Sequence, residues 1–128
     1  MYKTMNKLFT IISYIFTGLF IFVIIYFSIK VEIVDKNQLK KDHRITVGVI
    51  YEINTVLNGE PEIKYRFKYD GKEFASWVQI VRWREFSIGQ RVYVIFYPKN
   101  PKNNDMIIDT IVPDSIKQIP ENGWPEIP

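Results

Sequence analysis

The hydrophobic positions of the chain follow two different patterns. From Leu8 to Ile29, 22 residues follow one another without a charge, between Lys7 and Lys30. At about 1.5 Å of rise per residue, a helix of this length measures about 33 Å, close to the roughly 30 Å apolar core of a bilayer. From Ile45 onward, short apolar segments alternate with polar residues and turn signals. The pattern therefore predicts a single amino-terminal transmembrane helix followed by a small all-β domain.

A cleavable signal peptide is the main alternative for this apolar run, since Lys3 and Lys7 form a basic amino-terminal flank. The run, however, exceeds the roughly 7–15 residues that are usual in such signals. Residues 25–30 are also bulky where a signal peptidase requires small side chains. We therefore expect a retained single-pass anchor in the lipid bilayer.

The lysine and arginine counts bear on the orientation of this anchor. Two lysines precede the apolar run, and five basic residues lie in the charged segment 30–44 that follows it. The positive-inside rule therefore favours a β domain on the cytoplasmic side. A short basic amino terminus before a long apolar run is also typical of exported domains, so the sequence leaves the side open.

Four small or hydroxylated residues lie near one face of the predicted helix, namely Thr10, Ser13, Thr17 and Gly18. Such residues let membrane helices approach closely, so they are candidate contacts with a partner helix. The alternative is that the hydroxyl groups bond back to carbonyls of the preceding turn. Because no Gly-x-x-x-Gly repeat is present, the second interpretation is favoured.

The clearest strand signal is the alternation of apolar and charged residues from Glu62 to Asp70. The following Asp70-Gly71 pair predicts a two-residue type I′ turn. Such a turn pairs Phe67 with Phe74, pairs Tyr65 with Ser76 and places Lys68 opposite Glu73.

A first strand is predicted from Ile45 to Leu57, before a turn signal at Asn58-Gly59. A two-residue turn there would place Glu52 opposite the apolar Tyr65, which is unfavourable. We therefore expect a loop of odd length. Such a loop brings two sets of residues onto one face, Val47, Val49, Tyr51 and Ile53 from the first strand and Ile63, Tyr65 and Phe67 from the second.

Two more strands follow a connection over residues 78–90. Arg91 to Tyr97 is almost wholly apolar, which predicts a central strand covered on both faces. A turn is expected at Asn100-Pro101 and Asn103-Asn104, and a fifth strand from Met106 to Val112. The resulting fold class is a five-stranded, antiparallel, partly closed barrel, either OB-like or SH3-like. The predicted segments are a basic flank (1–7), a transmembrane helix (8–29), a charged juxtamembrane spacer (30–44), a β-barrel domain (45–112) and a proline-rich tail (113–128).

The composition of the chain argues against catalysis, metal binding and nucleic-acid binding. All 14 acidic residues and 15 of the 17 basic residues follow the apolar run, so the part after it carries a net charge of about +1. The calculated pI of about 9.0 therefore reflects the membrane flank and does not indicate nucleic-acid binding. The chain has no cysteine, and its single histidine, His43, lies in the charged spacer. These features predict a protein that is not an enzyme and that has no metal, cofactor, nucleic-acid or small-molecule site.

The best candidates for binding a protein partner lie in the segment from Trp77 to Phe86. Trp and Arg dominate interface hot spots, because they combine a large contact area with hydrogen-bonding capacity. The alternative is that the tryptophans cover the ends of the barrel and that the arginines are solvated. A second candidate surface is the tail, around Trp124. The candidate partner-binding residues are Trp77, Arg82, Trp83, Arg84, Phe86 and Trp124.

Three sequence patterns carry a family resemblance: Gly48-Val49-Ile50, then Tyr65-x-Phe67-x-Tyr69-x-Gly71, then a third from Gly89 to Pro101. The third reads Gly89-x-x-Val92-x-Val94-x-x-Tyr97-Pro98-x-Asn100-Pro101. In this order they resemble a bacterial membrane-anchored β-domain family of unknown function, domain of unknown function 3592. The resemblance covers residues 45–109. It implies a bacterial inner-membrane protein with a short β domain, and it supplies no catalytic residue.

Two functional classes fit a small anchored domain without catalytic groups. The first is a non-enzymatic binding module that serves as an accessory or adaptor subunit of a larger membrane complex. The second is an immunity or inhibitor protein that binds a toxin or an enzyme at the membrane. Both require a protein partner in addition to the lipid bilayer.

Overall fold

The computed structural model describes residues 2–55, 59 and 61–128. It divides into one compact unit that ends at Asn37 and a second, Gln38–Pro128. Helix α1 spans Tyr2–Lys41 and contains no buried residue. It is long and apolar enough to cross a membrane. The helix continues through most of the charged spacer to Lys41, supported by an ion pair of 3.0 Å between Lys36 Nζ and Glu32 Oε1 one turn apart.

Five antiparallel strands form one curled sheet in the order β3-β2-β1-β4-β5. The predicted fold class, one helix plus a small five-stranded β domain, is thus confirmed, and the curled sheet is a half-barrel. A short 3₁₀ turn, Trp83–Glu85, lies between β3 and β4. The strands are β1 (Arg44–Asn54), β2 (Glu62–Tyr69), β3 (Lys72–Gln79), β4 (Arg91–Tyr97) and β5 (Asn100–Ile111).

The β2–β3 hairpin has the predicted turn and register. Asp70 and Gly71 have φ angles of 51° and 71°, as a type I′ turn requires. Phe67 pairs with Phe74 and stacks on it with ring centroids 5.6 Å apart. The other two predicted pairs, Tyr65 with Ser76 and Lys68 with Glu73, are also present.

The predicted register of β1 is correct only near the loop. Ile53 pairs with Ile63, but a β-bulge between Ile50 and Glu52 then shifts the pairing, so that Ile50 pairs with Tyr65. Because a bulge adds one residue to one strand, it reverses the faces beyond it. Ile50 is fully buried, while Tyr51 is 38% exposed. The expectation for Val47, Val49 and Tyr51 was therefore wrong.

The loop after β1 falls partly outside the described residues. These leave out residues 56–58 and residue 60, and with them the predicted turn position Asn58.

The turn between β4 and β5 lies earlier than predicted. Tyr97 pairs with Asn100, so Pro98 and Lys99 form the turn and β5 begins at Asn100, not at Met106. The pairing then jumps to Phe96 with Asn104, which leaves an irregularity in β5 around the predicted turn. The side-chain amide of Asn104 donates to the carbonyls of Pro101 and Lys102, at 3.0 and 3.2 Å. These bonds stabilise the irregular backbone.

Two hydrophobic clusters lie on opposite faces of the sheet, so β4 is buried on both sides, as predicted. The inner cluster fills the curl of the half-barrel and is formed by Ile50, Ile63, Tyr65, Phe67, Val92, Val94, Phe96 and Met106. The outer cluster is formed by Ile45, Val47, Tyr93 and Val112, with Ile95, Ile107, Ile116 and Trp124 packed against it.

Candidate functional site

The two tryptophans of the segment from Trp77 to Phe86 lie in different environments. Trp77 is on β3, opposite Lys64 on the outer face, and is 57% exposed. Trp83 is in the 3₁₀ turn, where it and Phe86 are half-buried against the inner cluster. Trp83 and Phe86 thus cover the core, whereas Trp77 remains available to a partner.

The arginines of this segment make contacts within the domain. Arg82 Nη2 lies 2.7 Å from Glu85 Oε2, and Arg82 Nη1 lies 3.0 Å from Asp109 Oδ1 on β5. Hydrogen bonds to Glu85 and then to Asp109 raise the pKa of the Arg82 guanidinium above its usual value. The guanidinium of Arg84 lies 5.4 Å from the centroid of the Trp83 ring, a cation–π contact. Arg82 therefore joins the β3–β4 connection to β5.

The proline-rich tail lies against the sheet. Trp124 forms an antiparallel bridge with Ile45, in which each main-chain N–H donates to the other residue's carbonyl at 2.8 Å. Gly123 has a φ of +69°, and a Cβ placed there would lie 2.6 Å from the Ile45 carbonyl oxygen. The Arg91 guanidinium donates to the carbonyls of Pro113 and Ile116. The tail therefore covers the outer cluster, and Trp124 belongs to this cover.

The sequence contained a signal for this cover. A central strand that is apolar on both faces needs a second layer, and the tail was one of the two segments, with the connection over residues 78–90, that could supply it. The close approach of Gly123 to Ile45, by contrast, depends on a contact between residues far apart in the sequence.

The outer side of β2 and β3 stays exposed to solvent. We call this surface the open face, with Lys64, Arg66, Lys68, Glu73 and Trp77 on the two strands and Tyr51 beside them on β1. Lys64 Nζ lies 3.2 Å from Glu52, and Arg66 Nε lies 3.6 Å from Glu73. The Arg66 guanidinium also lies 5.9 Å from the Tyr51 ring centroid. The open face thus presents two aromatic rings among paired charges.

A cleft of about 400 Å³ lies at one border of the open face. It opens where β1 and β2 separate, because their pairing ends at Val49 with Arg66 although both strands continue. The tail forms its third wall at residues 119–121. Its apolar lining includes Val47, Val49 and Ile119.

The predicted contact stripe on helix α1 has its threonine hydroxyls bonded within the helix. Thr10 Oγ1 donates to the Asn6 carbonyl at 2.8 Å, and Thr17 Oγ1 donates to the Ser13 carbonyl at 2.9 Å. This is the bonding to the preceding turn that the sequence favoured. Gly18 has open space around its Cα.

Two titratable side chains, Tyr65 and His43, make hydrogen bonds within the domain. The Tyr65 hydroxyl donates to Asn104 Oδ1 at 2.6 Å, and burial raises the pKa of Tyr65 to about 12. Its phenol therefore stays protonated at neutral pH and can donate to Asn104. His43 Nδ1 donates to the Leu39 carbonyl at 2.9 Å, and His43 Nε2 lies 3.8 Å from Glu126 Oε1. Within residues 2–55, 59 and 61–128, no group of three or more His, Cys, Asp or Glu side chains could hold a metal ion.

No protein-family model, curated protein or solved structure matches this chain.

Proposed function

We propose that this chain is a non-enzymatic, membrane-anchored binding module that presents the open face to a protein partner. Helix α1 is the anchor, held in the inner membrane of a bacterium. The excess of basic residues after the apolar run favours a cytoplasmic β domain. In this role the chain serves as an accessory or adaptor subunit of a larger membrane complex.

The uneven cover of the outer sheet face is the observation that carries this proposal. The tail buries the outer side of β1, β4 and β5 under Ile116 and Trp124. Among residues 2–55, 59 and 61–128, none covers the outer side of β2 and β3 in this way, and Trp77 is 57% exposed. Tryptophan is the residue most enriched at interface hot spots, since its large flat side chain gains much from desolvation. The open face is thus the part of the domain best suited to a protein interface.

Membrane anchoring lowers the affinity that such an interface needs. A partner in the same bilayer meets the domain at an effective concentration that can reach millimolar values. A small surface centred on one tryptophan is then sufficient. This agrees with the modest size of the open face, whose cations Lys64 and Arg66 already have acidic neighbours.

Affinity purification of the full-length chain from membranes in mild detergent tests the proposal. We expect a co-purifying membrane protein, and we expect Trp77→Ala to weaken its binding by about 2 kcal/mol, or about 30-fold. Ile111→Ala is the matched control, because Ile111 is 84% exposed on the opposite edge strand β5.

Equal recovery of the partner with both variants, at unchanged thermal stability, would contradict the role of the open face. Recovery of no partner at all would contradict the binding function. If the partner recovered were a toxin or an enzyme, the chain would instead be an immunity or inhibitor protein.

A further inference from the structure

We propose that the cleft between β1 and β2 accepts an extended segment of the protein partner, which pairs with Val47, the edge position of β1 that lies between two paired ones. This inference rests on the proposed binding function and names how the partner is held. The segment it fits is uncharged, with apolar side chains at alternate positions.

The ladder between β1 and β2 ends before either strand does. The first part of β1, from Arg44 to Gly48, pairs with β4, whereas its pairing with β2 begins only at Val49. On the other strand, Phe67, Lys68 and Tyr69 pair with β3 and have no pair on β1. Continued in the same register, the ladder would pair Gly48 with Phe67 and then Val47 with Lys68. Val47 and Lys68 face the cleft, and both line it.

Alternate residues of β1 direct their main-chain N–H and carbonyl groups to the edge away from β4. Ile45 directs its N–H and its carbonyl away from β4, because both bond to Trp124. Successive residues of an antiparallel strand direct these groups to opposite edges, so alternate residues share an edge. Val47 and Val49 therefore direct theirs to the same edge as Ile45. Val49 uses this edge to pair with Arg66, and Val47 lies between two positions of the edge that are already paired.

The chain already binds an extended segment of its own tail at this edge of β1. Trp124 pairs with Ile45 as a short antiparallel strand would. The tail then turns away, since the N–H of Gly123 donates to the Pro120 carbonyl at 2.9 Å. The cleft begins where the tail leaves, with Ile119 and Glu121 on its wall. An added strand would thus continue an interface that Trp124 has started, by β-strand addition.

The walls of the cleft define the chemistry of the segment. Val47, Val49 and Ile119 offer apolar contacts, whereas Lys68 and Glu121 carry opposite charges. A charged segment would be attracted by one of these two side chains and repelled by the other. An uncharged segment that places an apolar side chain inward at every second position fits both the lining and the strand periodicity.

A strand fused to the full-length chain tests this inference without the natural partner. The probe is the pentapeptide Thr-Val-Thr-Val-Thr, joined after Pro128 by a flexible Gly-Ser linker of about 15 residues, which spans about 20 Å. The matched control carries Thr-Pro-Thr-Pro-Thr, because proline lacks the N–H that a ladder needs. Amide hydrogen exchange is measured by nuclear magnetic resonance in detergent micelles.

We expect the amides of Val47 and Lys68 to exchange at least about tenfold more slowly with the Thr-Val strand than with the Thr-Pro control. Equal exchange in the two fusions would overturn the inference. Two further results would also overturn it. If the Val47 and Lys68 amides of the unfused chain were protected only in phospholipid bilayers, the cleft would bind an acyl chain. If their protection grew with protein concentration, the cleft would bind a second copy of the chain. Each of these outcomes leaves the Trp77→Ala co-purification unaffected, so the two proposals fail separately.

Discussion

A methyl group added at Gly123 should detach the tail from β1. Gly123 adopts a φ of +69°, and its Cβ would lie 2.6 Å from the carbonyl oxygen and 3.3 Å from the carbonyl carbon of Ile45. Both are main-chain atoms of a strand paired to β4, so they cannot move aside as a flexible side chain would. Gly123→Ala should therefore displace the tail rather than the sheet.

The expected cost has two parts. A left-handed backbone conformation costs a residue with a Cβ about 1–2 kcal/mol. Displacing the tail also breaks the two 2.8 Å hydrogen bonds between Trp124 and Ile45, each worth about 1 kcal/mol. Together these give a loss of about 3–4 kcal/mol in the free energy of unfolding. Gly71 offers the matched control, because it has a φ of +71° with nothing within 4 Å of the added Cβ. Gly71→Ala should cost the first part only.

Thermal unfolding of the two full-length variants in detergent, followed by near-ultraviolet circular dichroism, measures the difference. The second part alone, about 2 kcal/mol, corresponds to a melting temperature about 10 °C lower for Gly123→Ala than for Gly71→Ala. Hydrogen exchange at the Ile45 amide should also accelerate in Gly123→Ala only. Equal melting temperatures in the two variants, with Ile45 still protected, would refute the assignment of the tail as a bound cover.

Three further results follow from the structure. Trp83→Ala should cost about 3 kcal/mol of folding stability, measured by denaturant unfolding, because Trp83 packs on the inner cluster. Stability should fall between pH 10 and 12, by about 3 kcal/mol, since the pKa of Tyr65 is about 12 in the folded state and about 10 when unfolded. Tyr65→Phe should reduce the slope of the unfolding free energy against pH in this range by the equivalent of about one proton. It also leaves Asn104 Oδ1 without its hydrogen-bond donor. The full-length chain should remain in the membrane pellet after carbonate extraction, and recovery of a mature chain without the apolar run would indicate a signal peptide instead.

The parts of the fold that the sequence predicted correctly depend on local rules. The Asp70-Gly71 turn fixes the β2–β3 register through φ angles that those two residue types adopt readily. The uncharged run predicts a helix because its length and composition suffice. By contrast, the β-bulge at Tyr51 has no local sequence signal. It lies next to the point where β1 changes from pairing with β4 to pairing with β2.

The candidate site shows the same division. The sequence identified the segment from Trp77 to Phe86 by residue type, but residue type could not separate the exposed Trp77 from the half-buried Trp83. That separation depends on where β3 ends, at Gln79, and on how the following 3₁₀ turn folds over the inner cluster. Trp124 could not be placed either, because its bridge to Ile45 joins the two ends of the domain.

Site-specific photo-crosslinking in intact membranes tests the central claim, that the open face binds a protein partner. A benzophenone side chain is placed at position 77 of the full-length chain and, as the control, at position 111 on the opposite edge strand. The account predicts a discrete adduct with one membrane protein from position 77 and none from position 111. Adducts of the same protein from both positions, or no protein adduct from position 77, would contradict it.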